Sequence, residues 1–518
     1  MKKAKLFFAL LVILTLAALV LTACSSTGGG NVGNGGNGGG GDTPTCEHRD
    51  ADDNSLCDKC GEAFTDGADI VESSEGLEFK LNEDGKTYTI TGIGSCTDTD
   101  IVIGLYNGSP VTNISVGAFY NCTHITSVTI DSCVTQIGDA AFRDCDNLTH
   151  VKINNGVTHI CAAAFFSCDT LTSVIIPDSV TKIGDQAFFN CPIENASIPT
   201  NAISAIKTIT LKSITITSGD IIDTSAFENC TNLINVTIPD SVTNICNYAF
   251  ENCTGLTSIV IPDSVTNIGK AAFNNCTSLT DITIGKAVTR IDDSAFSYCI
   301  NLRKVLIPDS VKFIGKDAFR YCYNLVSVTI SSGIRIESYA FYACYRLVEV
   351  ITKPSIIIDP NSPNYLGYYA KGIHSGDSKI VNKDGYLFYS HGGVNYLVGY
   401  VGHEATLILP SDYNGEDYKI NNYAFYRCDS FTSVIISDSV TSIGDNAFSW
   451  CTNLSSVIIP DSVISVGDNI FYNDYRYRVT VYCEVKSQPS GWSIKWNDGH
   501  SGGSISSIIW GYNGEGAE

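Results

Sequence analysis

The chain has 518 residues, of which 44% are hydrophobic and 17% are charged, and its formal net charge at pH 7 is −22. This length and apolar content are sufficient for a large hydrophobic core. The acidic balance excludes nucleic acid and an anionic lipid surface as main partners, because both require a basic protein surface.

Residues 1–23 predict a signal peptide for export. A lysine-rich start, MKKAK, precedes an almost wholly apolar run from Leu6 to Val20. The next four residues, LTAC, resemble the lipobox of bacterial lipoproteins, and the resemblance implies that Cys24 is acylated. Two or three lipid chains would hold the protein firmly, since each buried CH₂ contributes about 0.8 kcal/mol. We therefore expect an exported, lipid-anchored protein on the surface of a bacterial envelope; a plain signal peptide or membrane anchor is the alternative.

Residues 24–45 predict a flexible tether. After Cys24 they are mostly Gly, Asn, Ser and Thr, with almost no apolar side chains to form a core. A chain of about 20 such residues has a root-mean-square span of roughly 25 Å. The tether would therefore hold the following residues away from the membrane.

Residues 46–62 form a small module with candidate metal ligands. Cys46, His48, Cys57 and Cys60 supply three thiolates and one imidazole, enough for a closed tetrahedral zinc site, and the last two have CxxC spacing. The sequence requires no cofactor, and structural zinc in this module is the one that it favours. A disulfide between Cys57 and Cys60 is the first alternative. The second is a calcium ion at the alternating oxygen ligands Asp50, Asp52 and Asn54.

A hairpin is predicted at the start of the next region. The segment LEFKLNEDGKTYTITGIG alternates apolar and polar residues on both sides of Asp84-Gly85, which is a hairpin turn signal. We expect this hairpin to cap the open edge of the structure that follows.

The rest of the chain is dominated by one repeated phrase, best seen as LTSIVIPDSVTNIGKAAFNNC at Leu256–Cys276. Most copies are 23 residues apart, and a fixed period in this range predicts a solenoid whose coils bury their apolar sides against each other. Its Ala-Phe pairs end at Phe119, Phe142, Phe165, Phe188, Phe227, Phe250, Phe273, Phe296, Phe319, Phe341, Phe425, Phe448 and, loosely, Phe471. The expected inward residues of one coil are Leu256, Ile259, Ile261, Val265, Ile268, Ala272, Phe273 and Cys276.

The phrase LxxVxIPDSVTxIGxxAFxxC resembles the BspA-type leucine-rich repeats of bacterial surface proteins. The resemblance extends from about Leu77 to the C-terminus. It implies a mainly β leucine-rich-repeat solenoid of about 23-residue coils with a parallel sheet. It also implies adhesion and partner binding, and it carries over no catalytic residue.

Breaks in the period divide this region. We predict a hairpin-capped repeat array at 75–352, an inserted β/loop island at 353–421, a second short array at 422–482 and a C-terminal cap and tail at 483–518. The long unit before Phe227 predicts a helical turn plus an extra coil. Within the island, the aperiodic stretch IIIDPNSPNYLGYYAKGIHSGDSK predicts loop, whereas DGYLFYSHGGVNYLVGYVG repeats the pattern of the first hairpin, so that the solenoid starts twice. Near the C-terminus, Trp492 and Trp496 are expected to cover the last coil.

Cysteine recurs three residues after most repeat Phe residues. Stacked thiols in register would be near disulfide range, but their Cβ atoms point the same way, and Cys is a good small core residue, so we predict buried free thiols. The positions are Cys122, Cys145, Cys168, Cys191, Cys230, Cys253, Cys276, Cys299, Cys322, Cys344, Cys428 and Cys451. The turn aspartates, such as Asp263 and Asp309, are predicted to be solvated rather than cation ligands, because Lys286 interrupts their row.

No catalytic phrase such as GxSxG, HExxH or GxGxxG occurs, so we predict that the chain is not an enzyme. The outward strand positions, from Ser127 to Thr329, offer a flat row of polar and β-branched side chains. That composition also simply suits exposed strands. The island tyrosines are candidate binding residues, with packing of the island's own core as the alternative. They are Tyr365, Tyr368, Tyr369, Tyr386, Tyr389, Tyr396 and Tyr400.

These features predict a monomeric surface lipoprotein that binds extracellular protein or cell-surface partners, as an adhesin does. Its affinity would come from many weak contacts along a repeated face. The competing hypothesis is a glycan-capture lipoprotein for nutrient uptake. There the island tyrosines and Trp492 or Trp496 would stack against sugar rings.

Overall fold

The structure is a computed structural model of the chain. It describes residues 71–206, 208–353, 359, 361–473, 476–497 and 505–514. The predicted signal peptide, tether and Cys/His module precede residue 71. The lipidation and metal candidates therefore lie outside the described residues: Cys24, Cys46, His48, Cys57 and Cys60.

Each regular coil has one strand before the Pro-Asp-Ser turn and a shorter one after it. Alternation explains the first strand, since Ile259 is buried while Ser258 and Val260 are exposed. In chain-order numbering the strands before the turn are β3 (Asp100–Ile103), β6 (Ser127–Ile130), β8 (His150–Ile153), β10 (Ser173–Ile175), β12 (Asn195–Ile198), β13 (Ser213–Ile216), β15 (Asn235–Thr237), β17 (Ser258–Val260), β19 (Asp281–Thr283), β21 (Lys304–Leu306), β23 (Ser327–Ile330), β25 (Glu349–Thr352) and β26 (Gly372–His374). The strands after it are β5 (Ser109–Ile114), β7 (Gln136–Ile137), β9 (His159–Ile160), β11 (Lys182–Ile183), β14 (Ile221–Ile222), β16 (Asn244–Ile245), β18 (Asn267–Ile268), β20 (Arg290–Ile291), β22 (Phe313–Ile314) and β24 (Arg335–Ile336).

Successive coils pair in parallel, one repeat apart. Ser258 of β17 is the partner of Asp281 in β19, and Ile268 of β18 is the partner of Ile291 in β20. Backbone hydrogen bonds therefore run along the stack, and side chains alternate between the core and the outside. This is the mainly β, parallel-strand solenoid of about 23-residue coils that the sequence predicts, and the fold class is confirmed.

The Ala-Phe segment forms a third ladder that the sequence analysis did not anticipate. Phe273 N–H donates to Ala295 O at 2.8 Å, and the N–H of Asn275 donates to Ser297 O at 2.8 Å. The Ala271 N–H donates to the next coil in the same way, and the first and last of these three donors have positive φ, at Ala271 (53°) and Asn275 (59°). The left-handed residues let every second N–H point toward the next coil, so this segment pairs without being a strand.

The interior is filled as predicted. All eight inward residues of the 256–276 coil are at most 2% exposed. The repeat phenylalanines stack directly, as in Phe250–Phe273 with ring centroids 5.1 Å apart and planes 6° apart. Buried residues form one large cluster from Leu77 to Leu366, the first core, and another from Phe388 to Trp496, the second core. No coil could bury these rings alone, because each ring stacks against those of the neighbouring coils, as Phe273 does between Phe250 and Phe296.

The predicted first hairpin is confirmed. Strands β1 (Glu78–Leu81) and β2 (Tyr88–Gly92) are antiparallel, and β2 pairs in parallel with β5 at the start of the stack. The short β4 (Leu105–Tyr106) pairs with β5 on its other side. One edge of the stack is thereby covered.

A second hairpin opens the second core. Strands β27 (Ile380–Lys383), β28 (Tyr386–His391) and β29 (Val394–Tyr400) are antiparallel, and β29 pairs in parallel with the next coil. The solenoid therefore starts twice, as predicted. The strands that follow are β30 (Thr406–Ile408), β31 (Tyr418–Ile420), β32 (Ser433–Ile435), β33 (Val440–Ile443), β34 (Ser456–Ile459), β35 (Ser465–Val466), β36 (Val479–Cys483) and β37 (Ile505–Trp510).

The prediction that residues 356–379 are loop is wrong in part. Strand β26 lies inside that stretch and pairs in parallel with β25. Leu366, 1% exposed, belongs to the first core. A coil without the repeat phrase therefore extends the first stack. Its core-facing residues Leu366, Tyr369 and Ala370 do not follow the spacing of the repeat phrase and so gave no periodic signal. The array and island boundaries given above stay predictions.

The long unit before Phe227 contains the predicted helical turn and extra coil. A 3₁₀ helix η1 (Thr200–Ala202) leads into α1 (Ile203–Ile206), and β12 and β13 pair in parallel on either side of them. The helical turn interrupts the phenylalanine stack between Phe188 and Phe227, because it replaces one Ala-Phe segment.

At the C-terminal end, Trp492 and Trp496 are 3% and 1% exposed. Trp492 Nε1–H donates to Val463 O at 2.9 Å, and the Trp496 ring lies edge-on to Phe471. They cover the last coil, as predicted. The alternative role as sugar-stacking platforms is wrong, because a ring buried to this extent has no free face for a ligand.

Candidate functional site

The predicted island tyrosines do not form one surface. Tyr365 contacts Tyr342 with centroids 5.1 Å apart, whereas Tyr386 pairs with Tyr400 at 4.9 Å in a different place. Tyr389 is 1% exposed and packs with Val348 and Val398. Of the seven predicted tyrosines, Tyr368 is the most exposed, at 59%. The others are half-buried or buried. Tyr386 and Tyr400 pack within the island, as the alternative expected, whereas Tyr365, Tyr369 and Tyr389 pack against residues of the first array: Tyr342, Tyr345 and Val348.

The predicted strand row is largely on the surface, and we call it the strand face: the outward side chains of β6 to β23. His150, Lys152 and Lys304 are exposed. Its apolar members Ile175, Val260 and Leu306 are also exposed to solvent, by 56%, 61% and 57% respectively. Asn195 and Ser197 of β12 also belong to the row by register, although the period break hid them from the sequence analysis.

One predicted strand-face residue is not outside. Ser327 is 1% exposed, and its hydroxyl donates to Glu349 Oε2 at 2.8 Å. Ser378 Oγ and Lys379 N–H also donate to this carboxylate, at 2.7 and 2.6 Å, and His374 Nε2 lies 3.0 Å from it. Burial alone would raise the pKa of Glu349, but these hydrogen bonds outweigh it and hold that pKa below its ordinary value. The hydroxyls of Ser327 and Ser378 both donate to Glu349, so this hydrogen-bond network has a structural role.

The turn aspartates Asp263 and Asp309 are exposed, as predicted, and each also pairs with a lysine, which was not predicted. Asp263 accepts a 2.7 Å bond from the Lys286 N–H, and the lysine Nζ lies 3.3 Å from the same carboxylate. The pKa of Asp263 is lowered first by that backbone bond and then by the lysine side chain. Lys353 pairs with Asp309 through its side chain alone, and the Ser331 hydroxyl donates to the same carboxylate. Lys286, which interrupts the row of turn aspartates, is thus the ion-pair partner of Asp263 in the preceding coil.

All seventeen cysteines in the described part of the chain are free thiols, which confirms the prediction against disulfides. Burial raises the pKa of Cys145 to about 12 and that of Cys276 well above its ordinary value. Thiols in this state are protonated and poor nucleophiles at neutral pH. Among the described residues, no cluster of His, Cys, Asp or Glu is arranged to hold a metal ion. None of the helices in that part of the chain has the length and apolar character needed to cross a membrane.

An aromatic contact joins the two cores, and the sequence analysis missed it. Tyr345 stacks on Tyr423 with centroids 4.6 Å apart and planes 10° apart, and Tyr323 meets Tyr426 edge-on at 5.4 Å. Burial raises the pKa of Tyr323 to about 12. The available signal was the enrichment of tyrosine in the coils on both sides of the 84-residue gap between Phe341 and Phe425.

Arg346 lies at the centre of this contact and is only 4% exposed. Its Nε–H donates to Tyr423 O at 3.1 Å, and Nη2 donates to Tyr426 O at 3.4 Å and to Cys428 Sγ at 2.9 Å. Nη1 donates to Asn324 Oδ1 at 2.6 Å. One arginine of the coils before the second hairpin therefore hydrogen-bonds to three residues of the coils after it.

A groove of about 320 Å³ opens beside Arg346, and we call it the junction groove. Side chains from both cores line it. Its charged and polar members are Asn301, Arg303, Asn324, Arg346, His403, Arg427, Asp429 and Ser430. Arg427 is also held over aromatic rings, with its guanidinium carbon 4.9 Å from the Tyr323 centroid and 5.5 Å from that of Trp450.

A second concavity, of about 820 Å³, lies where α1 interrupts the stack. We call it the helix notch. The Phe189 ring is 56% exposed there, and Asp169, Gln186 and Asn190 line the same notch. An exposed aromatic ring beside carboxylate and amide groups is an arrangement that can bind a sugar by stacking and hydrogen bonding.

Several solved structures are similar to this chain. A crystal structure of a leucine-rich repeat protein from Bacteroides ovatus is 23% identical, and the match covers 84% of this chain and 91% of that one with a TM-score of 0.35. A leucine-rich cell surface protein from Faecalibacterium prausnitzii is 22% identical over 86% of this chain and 96% of its own, with a TM-score of 0.24. A leucine-rich repeat protein from Bacteroides capillosus is 35% identical but covers 21% of this chain and 83% of its own, with a TM-score of 0.19.

The search of curated protein sequences found no match. The family model described as "BspA type Leucine rich repeat region (6 copies)" matches residues 99–217, 220–348 and 418–487. These segments make up more than half of the chain and contain the strands, turns and Ala-Phe ladders described above. The chain belongs to the BspA-type leucine-rich repeat family.

Proposed function

We propose that the protein is a non-enzymatic binding protein of the bacterial cell surface, which attaches to extracellular proteins through its strand face. Proteins with BspA-type leucine-rich repeats are typically surface proteins. The N-terminal lipobox resemblance supports attachment through a lipid on Cys24. Membrane contact would then be limited to that lipid, and the repeats would be displayed beyond the tether.

The observation that carries the proposal is the exposure of apolar side chains in register on the strand face. Ile175, Val260 and Leu306 each have more than half of their surface in solvent, although neighbouring positions in the row are polar. Exposed apolar residues inside a polar surface are the usual contact points of protein interfaces. Because the strands are parallel and regularly spaced, the row presents a long, flat surface to an extended partner.

Binding of the full chain to immobilised fibronectin, collagen and laminin tests this. The variant is the triple substitution Ile175→Ala, Val260→Ala and Leu306→Ala. We expect the wild type to bind at least one surface and the variant to bind it at least tenfold more weakly, a loss of about 1.4 kcal/mol.

A matched control removes three exposed apolar side chains away from the strand face: Val116→Ala, Ile464→Ala and Ile494→Ala. These residues are 72%, 69% and 87% exposed. The control is expected to bind like the wild type. Equal binding by the strand-face variant, or equal loss in the control, would remove the support for a strand-face interaction.

Glycan capture is the second candidate, and the helix notch favours it. Few of the side chains predicted to stack against sugar rings can do so. Trp492 and Trp496 are buried, and Tyr368 is the one predicted tyrosine that is exposed. The exposed Phe189 ring beside Asn190 and Asp169 is the better platform. A glycan array probed with Phe189→Ala should then lose its signals, whereas Tyr120→Ala, an equally exposed ring elsewhere, should keep them. Signals unchanged by Phe189→Ala would exclude the notch.

A further inference from the structure

The junction groove concentrates positive charge in a strongly acidic protein. The whole chain has a net charge of −22, with 54 acidic against 32 basic residues. Three guanidinium groups, those of Arg303, Arg346 and Arg427, line the groove against the single carboxylate of Asp429. The local charge is therefore opposite in sign to that of the molecule.

That carboxylate is already engaged. Asp429 Oδ1 accepts hydrogen bonds from the Thr452 N–H at 2.6 Å and from the Thr452 hydroxyl at 2.8 Å. Within the described residues, no carboxylate lies within 4.0 Å of a nitrogen of Arg303, Arg346 or Arg427. Asp429 therefore forms no ion pair with the arginines beside it, and the groove keeps an excess of positive charge.

The burial of Arg346 makes its uncompensated positive charge energetically unfavourable. It is 96% buried, and its bonds go to two backbone carbonyls, one amide oxygen and one sulfur, all of them neutral acceptors. These four bonds use four of the five N–H donors of a guanidinium group, which leaves one on Nη1. A buried cation without an opposite charge is destabilising unless an anion comes to it.

We propose that the junction groove is a binding site for an oxyanion, a carboxylate or sulfate, on a ligand of about the size of a sugar residue. Guanidinium forks match the geometry of both groups. The volume of about 320 Å³ is at the small end of ligand pockets and much larger than a free ion needs. The Asn301 amide, the Ser430 hydroxyl and His403 can bind the hydroxyl groups of such a ligand.

The site is separate from the strand face and from the helix notch, so it goes beyond the proposed function and does not depend on it. It is formed by both cores, because Arg303 and Arg346 belong to coils of the first and Arg427 and His403 to segments of the second. An anion bound there would also strengthen the contact between them. Arg427 is held in place by Tyr323 and Trp450, which reduces the entropy that binding must remove.

Calorimetric titration of the full chain with glucuronate, glucose, acetate and sulfate tests the proposal. Glucuronate and glucose differ in the carboxylate, and glucuronate and acetate differ in the sugar ring, so the four ligands separate the charge from its carrier. We expect glucuronate to bind and glucose not to bind. Acetate and sulfate should bind more weakly than glucuronate, since they fill less of the groove.

The test variant is Arg303→Gln with Arg427→Gln, which keeps the Arg346 hydrogen bonds between the two sets of coils and removes only the contact of Arg427 with the Tyr323 ring. We expect its affinity for glucuronate to fall at least tenfold. Arg335→Gln, an exposed arginine paired with Glu337 outside the groove, is the control and should bind like the wild type. Equal affinity for glucose and glucuronate, or unchanged affinity in the double variant, would overturn the proposal. So would an aspartate-rich peptide that binds where glucuronate does not.

Discussion

The thiol of Cys276 donates a hydrogen bond to the carbonyl oxygen of Phe250 in the preceding coil, with 3.3 Å between Sγ and oxygen. Equivalent bonds at 3.0 to 3.3 Å recur from Cys145 to Phe119 and from Cys451 to Phe425. Cysteine is small and apolar enough for the core and still carries a weak donor. This explains why the repeat uses cysteine where alanine or valine would also fit the apolar pattern.

Replacing Cys276 with alanine removes this bond and leaves a small cavity. We expect the free energy of unfolding to fall by about 1–2 kcal/mol, since a neutral hydrogen bond contributes roughly 1 kcal/mol and the lost sulfur volume adds to it. Urea unfolding followed by circular dichroism measures the change. Cys161→Ala, at a half-exposed bend position, is the control and should change stability by less than about 0.5 kcal/mol. An equal effect at both sites would mean that the thiol bond contributes nothing.

The buried thiols also predict how stability depends on pH. The folded pKa of Cys276 lies well above the ordinary value of 9.0 because burial disfavours the thiolate. Unfolded chains release these protons from about pH 9 upward while folded chains keep them, so stability is fully present below pH 9 and declines above it. Each such thiol lowers the free energy of unfolding by up to about 1.4 kcal/mol for every pH unit above that value. Unfolding midpoints that stayed constant from pH 8 to 10.5 would contradict this.

A glycine should be tolerated where the Ala-Phe ladder needs a positive φ. Gln186 is exposed and has φ of 57°. A non-glycine residue in this conformation loses roughly 1 kcal/mol, so Gln186→Gly is expected to leave stability unchanged or raise it by up to about 1 kcal/mol. Gln136→Gly, in strand β7, is the matched control and should lower stability by about 0.5–1 kcal/mol. A clear loss at Gln186 comparable with that at Gln136 would show that the ladder does not require the left-handed conformation.

Much of this architecture could be predicted from sequence, for a physical reason. Positions such as Ile259, Phe273 and Cys276 recur at one period, so each copy is independent evidence for the same inward direction. The Ala-Phe ladder was missed for a different reason. Its first left-handed position holds unrelated residues such as Gln186 and Tyr248 and leaves no signal. Its second position often holds Asn, a residue that tolerates positive φ, and this was the available clue: Asn121, Asn190, Asn229, Asn252 and Asn275.

The contact between the cores was beyond sequence reasoning for a different reason. Arg346 and Tyr423 are 77 positions apart and meet through a hydrogen bond that occurs once. A single long-range contact leaves no periodic trace. Likewise, Ser327 looks like any outward strand residue until the chain after β25 folds over it and supplies Ser378 and Lys379 to the shared carboxylate.

We expect that substitution of the buried Arg346 lowers stability more than substitution of an exposed arginine. Arg346→Met keeps much of the side-chain volume but leaves Tyr423 O and Asn324 Oδ1 without their donor. We expect a loss of about 2–4 kcal/mol in the free energy of unfolding, because bonds from a charged donor contribute roughly 1.5–3 kcal/mol each and part is regained by removing a buried charge. Arg335→Met, which breaks an exposed pair with Glu337, should cost less than about 1 kcal/mol. Equal effects of the two substitutions would contradict the role given to Arg346.

The central claim is that the coils bury a common interior and leave the strand face free to bind a partner. Side-chain oxidation footprinting of the full chain tests this most directly, with the protein measured alone and then saturated with the matrix protein that binds it. Mass spectrometry then reads the exposure of each side chain. The account predicts that oxidation of Ile175, Val260 and Leu306 falls several-fold in the complex while that of Val116 and Ile464 stays unchanged. Protection confined to Val116 and Ile464, with the three strand-face residues still oxidised at their free rates, would contradict it.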